Sequence, residues 1–283
     1  LYCLAAAGII NVVLNLVFVI GFSMSVAGVA LATIISQTVS ALLVTGMLVR
    51  EKGALRLDLR RLAFHAGTLK QILLIGLPAG LQSTVFSLSN VVIQSSVNIF
   101  GNIVVAGNSA AANLEGFVYM AMNAFYQTTL SFVSQNYGAG EQKRIHRIVL
   151  LGEACVIVTG TLLGNAVVFF GNELLHIYSS NPEVIAAGIV RLHYISMVYA
   201  LCGIMDVMVG ALRGIGYSVM PMIVSIVGVL RLVWLATVFQ IPEYHRIETV
   251  YLSYPVTWIL TSLVYIVFFI WVRVRTCRKS AAA

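Results

Sequence analysis

Polar side chains recur at helical spacing inside two otherwise apolar runs of this chain. Ser83, Ser87, Asn90, Gln94 and Asn98 fall within roughly 80° of one helical face at 100° per residue. In the next apolar run Glu115, Tyr119, Asn123 and Gln127, joined by Tyr126, mark a second polar and aromatic stripe. Such groups hold solutes, ions or water through hydrogen bonds, and turning them toward lipid is costly. Any single Ser or Asn can be satisfied by helix–helix hydrogen bonding. Two stripes on successive helices point instead to a lined cavity. The Tyr and Met residues near it (Met120, Met122, Tyr126) suit flat organic cations through ring-face attraction and adaptable packing, although the same residues serve as plain packing elsewhere.

One acid stands out. Asp206 lies seven residues before Arg213, about 10 Å along a helix. A carboxyl group at that depth in an apolar run can load and release a proton or hold Na⁺. It can equally form a structural pair with Arg213 or with Arg231 on the following helix. Tyr199, two turns earlier on the same face, can join one hydrogen-bonding network with it. Arg231 sits near the middle of its own run and either neutralises Asp206 or lines the same path. Glu153, six residues past Arg147, reads as an interfacial charge.

No catalytic constellation accompanies these groups. The five histidines (65, 146, 176, 193 and 245) lie apart, and neither HExxH nor GxSxG occurs. The four cysteines (3, 155, 202 and 277) form no CxxC pair and read as free thiols, neither disulfides nor metal ligands. The chain is not expected to be an enzyme or to carry a cofactor.

The elements that must position these residues follow from composition. Of 283 residues 60% are hydrophobic and 10% charged, and the mean hydropathy is +0.96. Soluble domains carry about 25% charged residues, so this surface is built to face a lipid bilayer. The expected fold class is all-α, a polytopic membrane protein. Eight apolar segments are long enough to cross a bilayer as helices, near 1–20, 26–49, 72–100, 115–134, 148–170, 187–211, 219–240 and 250–272. The runs are continuous, without the period-two alternation of membrane strands.

Lys and Arg set the orientation. Alternate connections and the tail carry fourteen of the 17 basic residues: six within 50–70, then Lys143, Arg144 and Arg147, then Arg213, then four within 273–279. That side is expected to be the cytoplasm, with both ends of the chain inside and the spans in a plasma (inner) membrane. Arg191 and Arg246 lie near the other side. The charge of +7 is spread over short connections and a tail, not gathered on one groove-sized face, which argues against nucleic acid.

The longest polar connection, "REKGALRLDLRRLAFHAGTLKQ" (50–71), fits either a surface-lying amphipathic helix, with Leu55, Leu59 and Leu62 down and Arg56, Arg60 and Arg61 in the headgroups, or a plain solvated linker. "SQNYGAGEQKRIHR" (134–147) lacks the Lys-Ser/Thr of a phosphate-binding loop. It reads as a tight inner turn, with Gln135 and Asn136 able to cap free carbonyls. In "GALRGIGYSVMP" (210–221), Gly210, Gly214 and Gly216 permit close approach of helix ends, and Pro221 suits the first turn of the returning helix.

These two turns carry a resemblance. "QNYGAG" and, two helices later, "LRGIGYSVMP" resemble the paired inner turns of MATE (multidrug and toxic compound extrusion) transporters. "IINVVLNLVFVIG" and "GVALATIISQTVSALL" are similar to the last two helices of that family's N-terminal six-helix lobe. The resemblance implies that 1–49 closes the N-lobe, 50–71 joins the lobes, 72–272 is the whole six-helix C-lobe and 273–283 is a cytoplasmic tail. The first four helices of a twelve-helix transporter would then lie upstream, in keeping with a chain that begins without Met inside an apolar helix. It further implies a secondary antiporter that exchanges organic cations for H⁺ or Na⁺ by alternating access, acting as a monomer. Some branches of the family use an acid on the first C-lobe helix and an Asp on the fourth. Here the first helix, "GLPAGLQSTVFSLSN", places Phe86 or its polar neighbours where the acid would stand. Asp206 is on the matching fourth helix, roughly a turn nearer the inner end. Two other readings remain: a flippase for lipid-linked saccharides, which would want a basic cavity, and an inactive membrane scaffold.

Overall fold

The fold was obtained as a computed structural model that describes residues 2–53, 56–58, 63–227 and 230–281, with side chains placed in all of these except 226, 227, 230–232 and 273–281. No strand occurs among the described residues, and the chain divides into two compact units, Leu1–Ala66 and Gly67–Ala283. Of the amphipathic-linker residues, Leu55, Leu59, Leu62, Arg60 and Arg61 lie outside the described residues.

The first unit is a helical hairpin. Helix α1 (Tyr2–Leu16) runs on into a wide π-type turn at Val17–Gly21, and α2 (Val26–Arg50) returns along it. The face of α2 that becomes buried holds only small residues, Gly28, Ala32, Ser36 and Ser40, one per turn. Small residues at this spacing let two helices approach in an apolar medium, where van der Waals contact and hydrogen bonds replace the hydrophobic effect. Asn11 Nδ2 donates across the hairpin to Ser36 Oγ at 3.1 Å. The large side chains of both helices point outward and stay exposed, as in a bilayer.

The second unit contains α3 (Ala66–Asn98), α4 (Asn102–Gly138), α5 (Gln142–Phe169), the short α6 (Gly171–His176), α7 (Pro182–Ile195), α8 (Ala200–Gly214), α9 (Val219–Val227), α10 (Leu230–Thr237) and α11 (Ile247–Ala281). Helix α8 forms the centre, packed by α4, α5 and α11. Its glycines let the neighbours in. A Cβ on Gly210 would meet the Tyr126 carbonyl at 2.9 Å, and one on Gly214 would meet Val133 Cγ1 at 2.7 Å, as the spacing in "GALRG" anticipates.

Helices α7 and α8 make one apolar span bent by 47°. Between them Ser196–Val198 forms a single 3₁₀ turn. The break lies on α5 where that helix has no side chains: a Cβ on Gly164 would strike the Ser196 carbonyl, and one on Gly160 would crowd the Ala200 backbone.

Both glycine-rich turns close as expected. Gly140 (φ 77°) and Gly216 (φ 90°) adopt the left-handed backbone that glycine tolerates at least cost. Asn136 Nδ2 donates to the Phe132 carbonyl at 2.8 Å, whereas Gln135 donates to Ser131 Oγ instead. Pro221 falls in the first turn of α9.

Among the described residues five helical segments are long and apolar enough to cross a membrane: Tyr2–Gly21, Val26–Arg50, Ala66–Asn98, Gln142–Phe169 and Ile247–Val272. The bent α7–α8 pair passes the same test when its two helices are taken together as one span. The other two of the eight expected spans do not meet that standard. Helix α4 has 37 residues but carries the polar stripe through its middle, and the 219–240 segment appears as α9 and α10 on either side of positions 228 and 229, which lie outside the described residues.

Candidate functional site

Helices α3, α4, α8 and α11 enclose a cavity of about 420 Å³. Helix α8 contributes Tyr199, Cys202, Met205 and Asp206 from one face, because positions three, four and seven apart share a side of the helix. From α3 come Ser83, Phe86 and Asn90, from α4 Tyr119, and from α11 Tyr254 and Trp258. Trp258 anchors the aromatic wall. Its ring meets Tyr199 edge to face at 5.5 Å and Tyr254 at 5.8 Å.

Asp206 is the charged group of this lining. Its Oδ2 is enclosed and meets no hydrogen-bond partner among the described residues. The pairing with Arg213 that spacing allows is not made by hydrogen bonds. Arg213 Nη1 donates to the Tyr126 hydroxyl and Nη2 to Gln82 Oε1, both at 2.6 Å, so its guanidinium is committed to α4 and α3. The side chain of Arg231 lies outside the described residues.

Five of the residues singled out in the sequence therefore meet at one cavity: Ser83, Asn90, Tyr119, Tyr199 and Asp206. The others separate. Gln94 and Asn98 continue the α3 stripe past the cavity into a second polar cluster, where Gln94 Nε2 donates to Asn98 Oδ1 at 2.9 Å and Asn108 Nδ2 donates to Gln94 Oε1 at 3.1 Å. Glu115 belongs to that cluster and not to the cavity wall. It takes a bidentate pair of hydrogen bonds from Arg191, Nε at 3.0 Å and Nη2 at 2.7 Å, while Arg191 Nη1 donates to Asn108 Oδ1 at 2.7 Å. The guanidinium lies 5.7 Å from the ring centre of Tyr251 and 5.6 Å from that of Tyr254. Tyr126 holds Arg213, Asn123 is half-buried, and Ser87 and Gln127 are exposed without lining the cavity.

Three sequence readings are corrected by this arrangement. Arg191 is not a boundary charge but a buried residue of α7, 7% exposed. Glu153 is not interfacial: both carboxylate oxygens are enclosed without a hydrogen-bond partner among the described residues. The aromatic wall from α11 went unread, because Tyr254 and Trp258 sit in an apolar run with no polar stripe to mark them. Asn108 and Gln82 were also missed. The one available signal was electrostatic, since an acid in mid-helix at Glu115 needs a base, and Arg191 is the charge left over in the neighbouring apolar run. No group of three or more His, Cys, Asp or Glu able to hold a metal ion occurs among the described residues. Cys3, Cys155 and Cys202 form no disulfide among the described residues.

A lining of aromatic rings and one carboxyl group can hold a flat, positively charged solute. The chain is 30% identical over 224 residues to the probable multidrug resistance protein YpnP of Bacillus subtilis, covering 79% of this chain and 50% of that protein. It is 29% identical over 187 residues to the FAD transporter of Shewanella oneidensis, covering 63% and 40%. The chain thus spans about half the length of the relatives it matches. A MOP superfamily transporter from Pyrococcus furiosus superposes with a TM-score of 0.85 at 19% identity, over 95% of this chain and 60% of that one, a likeness of fold. The sequence profile of the MatE family matches residues 78–238, more than half of the chain, and on that match the chain belongs to the MatE family.

Proposed function

We propose that this chain is part of a secondary antiporter that exports organic cations in exchange for H⁺ or Na⁺ by alternating access. The cavity carries the reading: Tyr199, Tyr254 and Trp258 line it together with the acid Asp206. Cation–ring attraction gains when both partners leave water, and a carboxylate buried in an apolar surrounding favours a cationic ligand or a proton. Ser83 and Asn90 supply hydrogen bonds without a second charge.

On this reading residues 1–49 close the N-lobe, 50–71 link the lobes, 72–272 form the C-lobe and 273–283 a cytoplasmic tail. Eight spans of a twelve-helix monomer then sit in the plasma membrane with both ends of this chain in the cytoplasm. Gln94, Asn98, Glu115 and Arg191 brace the cavity, and Asp206 exchanges the coupling ion for substrate.

A lipid-linked saccharide or a dinucleotide such as FAD would bring a diphosphate. Among the described residues no Lys or Arg lines the cavity, which counts against either substrate. A membrane scaffold has no use for a buried acid in an aromatic-lined cavity. The test uses the full-length protein in liposomes loaded with a fluorescent organic cation. Dye movement driven by an imposed H⁺ or Na⁺ gradient supports the antiport and identifies the ion. Absence of movement with both ions refutes it.

A further inference from the structure

Arg191 does not line the cavity, yet it touches a residue that does. Its guanidinium lies over the ring of Tyr254, 5.6 Å from the ring centre, and Tyr254 is part of the cavity lining. Tyr251, Tyr254 and Trp258 share a side of α11, being three and seven positions apart. Tyr251 is fully buried and meets the same guanidinium at 5.7 Å. Trp258 lines the cavity and meets Tyr254 edge to face. Tyr254 is thus common to the buried cation and to the cavity.

The guanidinium is held from other helices. Three of its five N–H groups go to α4, two to the carboxylate of Glu115 and one to Asn108 Oδ1. Asn108 and Glu115, seven positions apart, supply both acceptors from one side of α4. Asn108 is itself tied to α3, through Nδ2 to Gln94 Oε1. A bidentate pair sets the plane of a guanidinium as well as its place. A ring that moves off the cation gives up its attraction to it. For stability alone, apolar side chains of the same size serve as well as a buried ion pair. What the pair adds is direction.

We propose that Arg191 is a positioning residue of the cavity. It fixes the ring of Tyr254 and, through Tyr254, that of Trp258, so the charged cluster of α4 and α7 sets the aromatic part of the lining that a flat cation meets. Arg191 acts through Tyr254 and not on the ligand. Glu115 offsets its charge at 2.7 Å, which leaves Asp206 as the charged group of the lining. The placing of the rings stands on these contacts alone, and its effect on binding rests on the cation reading proposed above.

The test is fluorine NMR of the full-length protein labelled with fluorotryptophan, the Trp258 resonance being identified by its loss in Trp258→Phe. Glu115→Leu combined with Arg191→Met removes the clamp without stranding a charge. This variant should keep most of the wild-type melting temperature, while its Trp258 resonance moves or splits. Its ethidium binding should weaken by about fivefold, the share of one cation–ring contact. Tyr254→Leu, which leaves the ion pair in place, should move the resonance likewise, and adding the other two substitutions to it should move it little further. A Trp258 resonance unchanged in either variant overturns the proposal. So does a change that adds in full to that of Tyr254→Leu, since the route would then bypass Tyr254. Wild-type ethidium affinity in a clamp variant whose resonance has moved overturns it as well. Failure of the wild type to bind ethidium refutes the cation reading instead, and the resonance then decides the placing of the rings by itself.

Discussion

Glu115 and Arg191 stand 76 positions apart in the chain and 2.7 Å apart in space. Both are buried, and the pair is bidentate, the geometry in which a guanidinium and a carboxylate bind most strongly. Removing one partner strands the other in low dielectric. Glu115→Ala should therefore destabilise the protein by about 3–5 kcal/mol, whereas replacing both residues by apolar ones of similar size should recover much of that loss. Thermal unfolding in detergent measures both, and a single variant as stable as the wild type would show the pair to be idle. Asp206 differs in kind. Arg213 is held by Tyr126 and Gln82, and Asp206 Oδ2 meets no hydrogen-bond partner among the described residues, so Asp206→Asn should leave the melting temperature within a few degrees while abolishing gradient-driven dye flux. Asp206 was legible in the sequence because an acid deep in an apolar run is rare. The course of Arg213 was not, since spacing alone allowed a hydrogen-bonded pair, and only the packing of Tyr126 and Gln82 decides where the guanidinium goes.

At the scale of elements, the polar face of α3 serves two purposes along its length. Ser83 and Asn90 open to the cavity, and Gln94 and Asn98 bind the Asn108–Arg191–Glu115 cluster. A helical wheel shows the face but not the division, which depends on what α4 and α7 bring opposite each turn. Cysteines at Ser83 and Asn90 should react quickly with a water-soluble thiol reagent, and cysteines at the buried Ile93 and Val97 slowly. Equal reactivity at all four sites would remove the distinction. The break between α7 and α8 was also hidden, because no Pro or Gly occurs in "ISMVYA" (195–200) to announce it. The cue lies on the partner helix, where Gly160 and Gly164 leave room for the bent backbone. Gly164→Val should cost about 1–3 kcal/mol through overpacking, seen as a lowered melting temperature, with Gly46→Val in the open as its control.

Over the whole molecule, composition pointed to a lipid-facing surface and the unbroken apolar runs to helices, and among the described residues five of those runs, and the bent α7–α8 pair taken together, are helical and apolar enough to cross a membrane. Helix α4 escaped the hydropathy criterion because it carries residues such as Asn108, Glu115 and Asn123 into the unit's interior. The cavity itself is a property of the assembled second unit: its walls come from helices that begin at Ala66, Asn102, Ala200 and Ile247, and its aromatic side comes from α11, which no motif marks. A cationic ligand in this cavity would contact both Asp206 and the rings that line it. Equilibrium binding of ethidium to the full-length protein, with Asp206→Asn alongside the wild type at matched folding stability, is the decisive measurement. Binding should be saturable and weaken at least tenfold in the variant, about 1.4 kcal/mol. Equal affinity in the two proteins would contradict that contact.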